Sequence, residues 1–384
     1  MPGKWSDDAF LDSLRQLGDP VADQAIAGLM AEAQTGSVSI IFRMMRANDD
    51  VLPADAPQAY LDFAAASPGL PSDLDFARLE RGGEAFYRNA LPAVIAMLAS
   101  SLPRGYAAPC ICEILSISRD LERHPYGRLM GVVQLLINIS DGAAFQPGGR
   151  ARVTAQKLRL LHAGVRAIAP RYRPDYREKY GVPVNLEDML ATMMGFSYLV
   201  VDGVRKLGVP FTTQEAEDNY YLWRTFALML GIHPPGRPHD WSYIPETLAD
   251  AAEFYASFAR RHDAPATRNQ YGVLLTQDNL QMMRTMIAAP MALFGMRLAP
   301  RIWMAEMMTP QQLALVGARP LAGHALIRAV LARILAVSRS IGHRWVFAVL
   351  ARDILQSMVD LNRGGEATFS IPFNRLGLEG KDFT

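Results

Sequence analysis

Lys157-Leu158-Arg159-Leu160-Leu161-His162-Ala163-Gly164-Val165-Arg166 is the stretch from which the fold and function of this chain are read outward. In a helix spanning Thr154 to Ile168, Leu158, Leu161, His162 and Val165 fall at i, i+3, i+4 and i+7, one face at 3.6 residues per turn. Arg159 stands three residues before the histidine and Arg166 four after it, so both are its neighbours on the helix surface. Two readings of the imidazole follow. A histidine on an apolar face is an ordinary core residue when a buried carbonyl satisfies its ring. Flanked by two fixed cations, it also suits haem, the ring nitrogen binding iron and the guanidiniums pairing with the propionates.

Helical periodicity recurs along the rest of the chain, while alternation over five or more residues is scarce, so the fold class is all-α. Phe10–Leu17 reads as a helix. Gly18-Asp19-Pro20 breaks it, with Asp19 as N-cap and Pro20 at N1 of a helix over Val21–Gln34. Leu52–Pro71 reads as an irregular connection around a short helix, Pro57–Ala65. Phe76–Leu102 divides into two helices near Ala90–Pro92, and Tyr106–Leu121 and Tyr126–Ser140 read as largely buried helices. Pro147-Gly148-Gly149 turns the chain into the histidine helix, which the sequence predicts to end before Pro170. Leu186–Leu207 reads as one long apolar helix stopped by Gly208. Thr213 is expected to cap the next helix, with Ala216 at N3 and therefore no full capping box. Asn279 to Ile341 is a Met-rich helical block. Its Met286, Met291 and Met296 either fill irregular core gaps or line a channel for a greasy substrate. The tail from Gly364 onward reads as loosely ordered. The organisation expected is one domain over 1–384, with a main helical core at about 18–260, a helical part at 265–363 and the tail at 364–384.

The 384 residues are 50% hydrophobic and 20% charged, which allows a large core and argues against global disorder. A net charge of +1 leaves no electrostatic footprint for nucleic acid. Cys110 and Cys112 would share a face if they lay in a strand. They read as a reduced pair, and two cysteines support neither a zinc site nor a disulfide framework. No window of 18 uncharged apolar residues occurs, so no transmembrane segment is expected. The first eight residues lack the apolar run of a signal peptide. The expected location is cytoplasmic, or secreted or periplasmic if an export signal was removed from this chain.

The absence of G-x-S-x-G, G-x-G-x-x-G, Walker and H-E-x-x-H patterns removes the commonest hydrolase, dinucleotide and zinc-peptidase readings. Among seven histidines only His233 and His239 lie close together, across a proline-rich loop that is a candidate metal site. Glu113 is the only charge in Ala107–Ile117. A carboxylate in such a run must be paired or protonated, and Arg128 on the next helix is the expected partner. The pair is either a structural ion pair or a poised base beside a cofactor.

Taken together, these residues resemble the latex clearing proteins, members of the MpaB-type oxygenase family. Lys157–Arg166 is similar to the family's haem-ligand motif. Gly18-Asp19-Pro20 with Asp23, Arg128-Leu129, Pro147-Gly148-Gly149 and Gly181-Val182-Pro183-Val184-Asn185 resemble further landmarks in the same order. Thr192 with Phe196-Ser197 resembles its T-x-x-x-F-S pattern. Glu217-Asp218, Trp223-Arg224 and Leu230-Gly231-Ile232 resemble its closing segment. The resemblance covers roughly Gly18 to Phe258.

It implies an all-α fold with a globin-like core around one haem b. His162 would be the proximal iron ligand, with Arg159, Arg166 and Thr192 binding the cofactor. Arg128 would lie on the distal side and Glu113 would be the catalytic base. The implied activity is O2-dependent cleavage of polyisoprene double bonds to aldehyde and ketone ends, by a monomer acting on a hydrophobic alkene. Gly131 and Val132 stand where the rubber-cleaving enzymes carry Lys-Thr, which implies an open distal site and leaves the substrate open. The alternatives are a family member acting on a small prenylated metabolite, a haem-binding protein without turnover, and a haem-free helical interaction protein.

Overall fold

Every regular element among the described residues is a helix. The structure, a computed structural model, describes residues 3–31, 47–50, 56–67, 69–118, 125–285, 287, 295–321, 323–342 and 355–356. Met286, Met291, the side chain of Arg128 and the tail from Gly364 lie outside them. In chain order the helices are α1 (Asp8–Arg15), α2 (Pro20–Ala31), α3 (Gln58–Ala66), α4 (Phe76–Arg88), α5 (Ala90–Ala96), α6 (Leu102–Gly105), α7 (Pro109–Ser118), α8 (Pro125–Ser140) and α9 (Ala151–Tyr172). They continue with α10 (Tyr176–Tyr180), α11 (Leu186–Phe196), α12 (Tyr198–Lys206), α13 (Thr213–Met229), α14 (Leu248–His262), α15 (Gln270–Thr285), α16 (Ala299–Met307), α17 (Pro310–Leu315) and α18 (Ala325–Gly342).

The histidine helix α9 is buried along two flanks. Val153, Leu160 and Ala163 pack with Ala22, Ile26, Tyr60 and Phe63 of α2 and α3. Ala151, Ala155 and Leu158 join the main core, whose members run in sequence from Trp5 to Leu335. His162 shares the Leu158 face by the i, i+4 relation. Asp19 caps α2 as its sequence position suggests, its Oδ1 accepting from the Ala22 amide at 3.1 Å.

The structure corrects five local expectations. First, α9 runs through Pro170 to Tyr172. In the last turn, proline forfeits one hydrogen bond, and the Arg173 amide still donates to the Ala169 carbonyl at 2.8 Å. Second, the expected long helix over Leu186–Leu207 is broken at Ser197, which has φ −113° and ψ −87°. There the serine hydroxyl donates back to the Met193 carbonyl at 2.7 Å. Third, Thr212 rather than Thr213 caps α13, and this one-residue shift puts Glu215 at N3 and completes a capping box. Fourth, the division of Phe76–Leu102 falls at Asn89, and a π-helical turn follows over Met97–Ser101. Asn279 of α15 donates to the Leu98 carbonyl within that turn. Fifth, Cys110 and Cys112 lie in a helix as free, buried thiols, which removes the strand reading.

A buried ionic network that the sequence did not announce ties distant helices together. Arg15 Nη1 of α1 reaches Glu187 Oε2 at 2.8 Å and Asp188 Oδ1 at 3.0 Å, and His262 Nε2 of α14 meets the same Glu187 oxygen at 3.0 Å. Among the described residues no helix is long and apolar enough to cross a membrane.

Candidate functional site

His162 projects from the middle of α9. Its Nδ1 is sealed from solvent and has no hydrogen-bond partner among the described residues, whereas a core histidine is satisfied by a carbonyl. Burial, then the charge of Arg166, hold its pKa down to about 4 against a smaller opposing effect of Asp19. At neutral pH the imidazole is therefore uncharged, the form that ligates a metal.

Both flanking arginines turn toward α2. Arg159 is buried and holds Asp19 through its Nε at 2.6 Å and its Nη2 at 3.0 Å, with Nη1 donating to Ser67 Oγ at 3.2 Å. Its guanidinium also lies 5.1 Å from the centre of the Phe63 ring. Arg166 donates from Nε to Asp23 Oδ1 at 2.6 Å, while its Nη2 is sealed without an acceptor among the described residues. Asp19 and Asp23 are four residues apart, and Arg159 and Arg166 seven apart, so two ion pairs stitch the facing ridges of the helices. The sequence assigns both guanidiniums to a cofactor's carboxylates. The structure commits the Arg159 fork to a protein carboxylate and leaves a donor open only on Arg166.

The sequence pairs Glu113 with Arg128. The Arg128 side chain lies outside the described residues; among them Glu113 is met by Tyr180 of α10, whose hydroxyl donates to Glu113 Oε1 at 3.0 Å. Burial and the nearby Glu113 carboxylate raise the Tyr180 pKa, so the phenol stays protonated and remains the donor. Ile111 and Leu115, also on α7, line an apolar cavity of ≈ 160 Å³. Glu113 sits on the other side of the helix from them, by the 100° step per residue.

Val132 of α8 and Thr192, Gly195 and Phe196 of α11 complete much of the cavity wall. Thr192 Oγ1 donates to the Asp188 carbonyl at 2.8 Å, which turns its methyl group away from that bond. Of the residues singled out from the sequence, Val132, Thr192 and Phe196 line this cavity; His162, Arg159, Arg166 and Glu113 are not among its lining residues. A Cβ placed on Gly131 would meet nothing within 4 Å among the described residues, and the neighbouring Val132 offers no donor. Sequence reading missed Tyr180 because nothing local links it to a residue 67 positions earlier.

In the His233–His239 loop one ring nitrogen of each histidine is engaged by the backbone. His233 Nδ1 pairs with the Pro234 carbonyl at 2.9 Å and His239 Nε2 with the Gly69 carbonyl at 3.1 Å. Among the described residues no cluster of three metal-ligating side chains occurs.

Residues 82–352 match the family model described as ER-bound oxygenase mpaB/B'/Rubber oxygenase, catalytic domain. The chain is 26% identical over 232 residues to the rubber oxygenase of Streptomyces sp. (strain K30), covering 58% of this chain and 55% of that protein. It thus spans about half the length of that curated relative. The latex clearing protein in its closed state superposes with a TM-score of 0.69 at 20% identity, over 90% of this chain and 91% of that one. At that identity the likeness is one of fold.

Proposed function

The chain belongs to the MpaB-type and rubber oxygenase catalytic-domain family, and from that premise we propose that it is a haem b-dependent oxygenase that cleaves a C=C bond of polyisoprene or a related isoprenoid with O2. Membership in that family supports reading it as an oxygenase, an oxidoreductase that uses O2. The observation that carries the haem reading is the neutral His162 imidazole with no partner at Nδ1 among the described residues. A buried polar group left unsatisfied costs about 1–3 kcal/mol, and such groups persist where a ligand completes them.

What supports the group here is the pair of sealed atoms left without partners among the described residues, His162 Nδ1 and Arg166 Nη2. His162 would ligate the iron. The free Nη2 of Arg166 would donate to a carboxylate. Arg159, held by Asp19, would keep α9 and its histidine in place rather than touch the cofactor. Bound there, haem would supply the redox chemistry by which O2 is activated. The apolar wall of Val132, Phe196, Ile111 and Leu115 excludes water and orients an alkene. Thr192 closes the same wall. Glu113, its carboxylate held by the Tyr180 hydroxyl, is the candidate base with Arg128 as its proposed catalytic companion; because it lies across α7 from this cavity, it would act on a substrate reaching the other face of that helix. A cavity of ≈ 160 Å³ suits a short isoprenoid at least as well as a segment of polymer.

The test is the absorption spectrum of the purified protein with pyridine haemochrome quantitation, followed by incubation with polyisoprene and with farnesyl-type substrates. A Soret band at about one haem b per chain, with carbonyl products from either substrate, supports the proposal. Colourless protein after haem reconstitution overturns it. Haem binding without product would make the chain a haem-binding protein without turnover.

A further inference from the structure

A second cleft, of ≈ 650 Å³, opens where the N-terminal segment meets α13 and the turn Trp241–Tyr243. Arg224 of α13 stands in its wall with its guanidinium 4.9 Å from the centre of the Trp241 ring. Its Nε is sealed from solvent with no hydrogen-bond partner, and no carboxylate of the described residues forms an ion pair with it. The fully buried arginines differ from this half-buried one: Arg15 holds Glu187, Arg159 holds Asp19 and Arg166 holds Asp23. Burial lowers the Arg224 pKa, and the nearby tyrosines and Glu246 offset it only in part. A half-buried cation thus stands here with Glu246 nearby but no ion-pair partner among the described residues.

The surroundings narrow what can supply it. Trp5, Tyr221 and Trp241 form an aromatic wall, with the Tyr221 and Trp241 rings 6.4 Å apart and inclined by 19°. Lys4, the other cation, is already engaged, donating to the Ser242 carbonyl and lying over the Phe10 ring at 4.7 Å. Asp250 is tied into the cap of α14 by the Thr247 hydroxyl and amide at 2.8 and 3.1 Å. Asp73 and Glu246 are exposed at the rim, where they repel a polyanion such as a phosphate ester.

One cation with an open fork, an aromatic wall and an acidic rim suit a ligand with a single negative charge and a flat body. We propose that this cleft binds a small aromatic monocarboxylate, with its carboxylate on Arg224 and its ring along Trp5, Tyr221 and Trp241.

Sodium benzoate and 3-phenylpropionate are the probes, titrated into the full chain by calorimetry and by tryptophan fluorescence. Benzamide, AMP and inorganic phosphate are the comparisons. Saturable binding of the carboxylates, absent for benzamide and weakened at least about tenfold in Arg224→Gln, supports the site. Arg224→Lys keeps the charge but loses the planar fork, and weakened binding in it supports the site equally if the glutamine variant does not fold. Failure of both carboxylates to saturate, equal affinity in the folded Arg224 variants, or tighter binding of phosphate or AMP overturns it.

Discussion

Arg159 meets Asp19 as a fork on a carboxylate, Nε to Oδ2 at 2.6 Å and Nη2 to Oδ1 at 3.0 Å, with side-chain exposures of only 4% and 9%. Burial alone would raise the aspartate's pKa. The Arg159 hydrogen bond and charge, with the Ala22 amide, outweigh it and hold the carboxyl below its ordinary value. Asp19→Asn should leave a buried guanidinium uncompensated and cost about 3–5 kcal/mol. Urea unfolding measures this. A double variant, Asp19→Leu with Arg159→Met, should recover most of the loss; equal damage in both would mean the ion pair is not what holds α9 against α2.

His162→Leu exchanges an unsatisfied ring for an apolar side chain. Its thermal unfolding without haem should match or exceed that of the parent chain, and it should take up no stoichiometric haem. A full Soret band in this variant would remove His162 as the ligand.

Glu113→Gln keeps a carbonyl acceptor for the Tyr180 hydroxyl and removes the base. Haem content should be unchanged and turnover should fall by about 10²–10⁴. Tyr180→Phe should reduce turnover less, because it frees the carboxylate without deleting it. Unaltered product formation in Glu113→Gln would exclude the residue as base.

Asp263, at the C-terminal end of α14, has a pKa raised by burial from 3.8 to about 7, with Arg104 opposing the shift. The folded chain therefore keeps a proton that the unfolded chain gives up between these values. By linkage, this group makes stability fall as pH rises through that window, and its full cost is present above about pH 7. Asp263→Asn removes the cost. Its advantage over the parent in chemical denaturation should be largest at pH 8 and should shrink steadily toward pH 4. An advantage that does not vary with pH would contradict the assignment.

Gly83 lies where a Cβ would stand 2.2 Å from the Ser140 carbonyl oxygen, a backbone atom that cannot swing aside. Gly83→Ala should destabilise by about 1–3 kcal/mol or more by forcing α4 away from the end of α8. Gly148→Ala meets no atoms but must hold φ +75°, so it should cost less, through backbone strain alone. A scan of unfolding temperatures that reversed this order would show that the α4 contact is loose.

Local patterns in the chain were readable where the physics is local. The 3.6-residue spacing of Leu158, Leu161, His162 and Val165 depends only on helix geometry, and the helix is there. Asp19 before Pro20 reads as a cap because a short side chain reaches an amide three residues on, and it does so. Errors of one residue had larger effects: placing the cap at Thr213 rather than Thr212 concealed the Glu215 capping box. The break at Ser197 was hidden because an apolar run continues across it, while the turn is set by a hydroxyl bonding backward and by Phe196 stacking on Trp223 at 5.2 Å.

By itself, then, the sequence determined the all-α class, the helix that carries His162, and the ordered series of motifs that marks the family. Hydrophobic period, capping and motif order are properties of neighbours along the chain. Only the tertiary structure decided the partners. Arg159 and Arg166 lie beside His162 on the helix, yet they are drawn to Asp19 and Asp23 on α2. Glu113 finds Tyr180 across 67 residues, and Arg224 lies against Trp241 with no ion pair to a carboxylate of the described residues. A buried charge takes whichever counter-charge packing brings within about 3 Å, and that choice depends on how helices far apart in sequence are laid against one another.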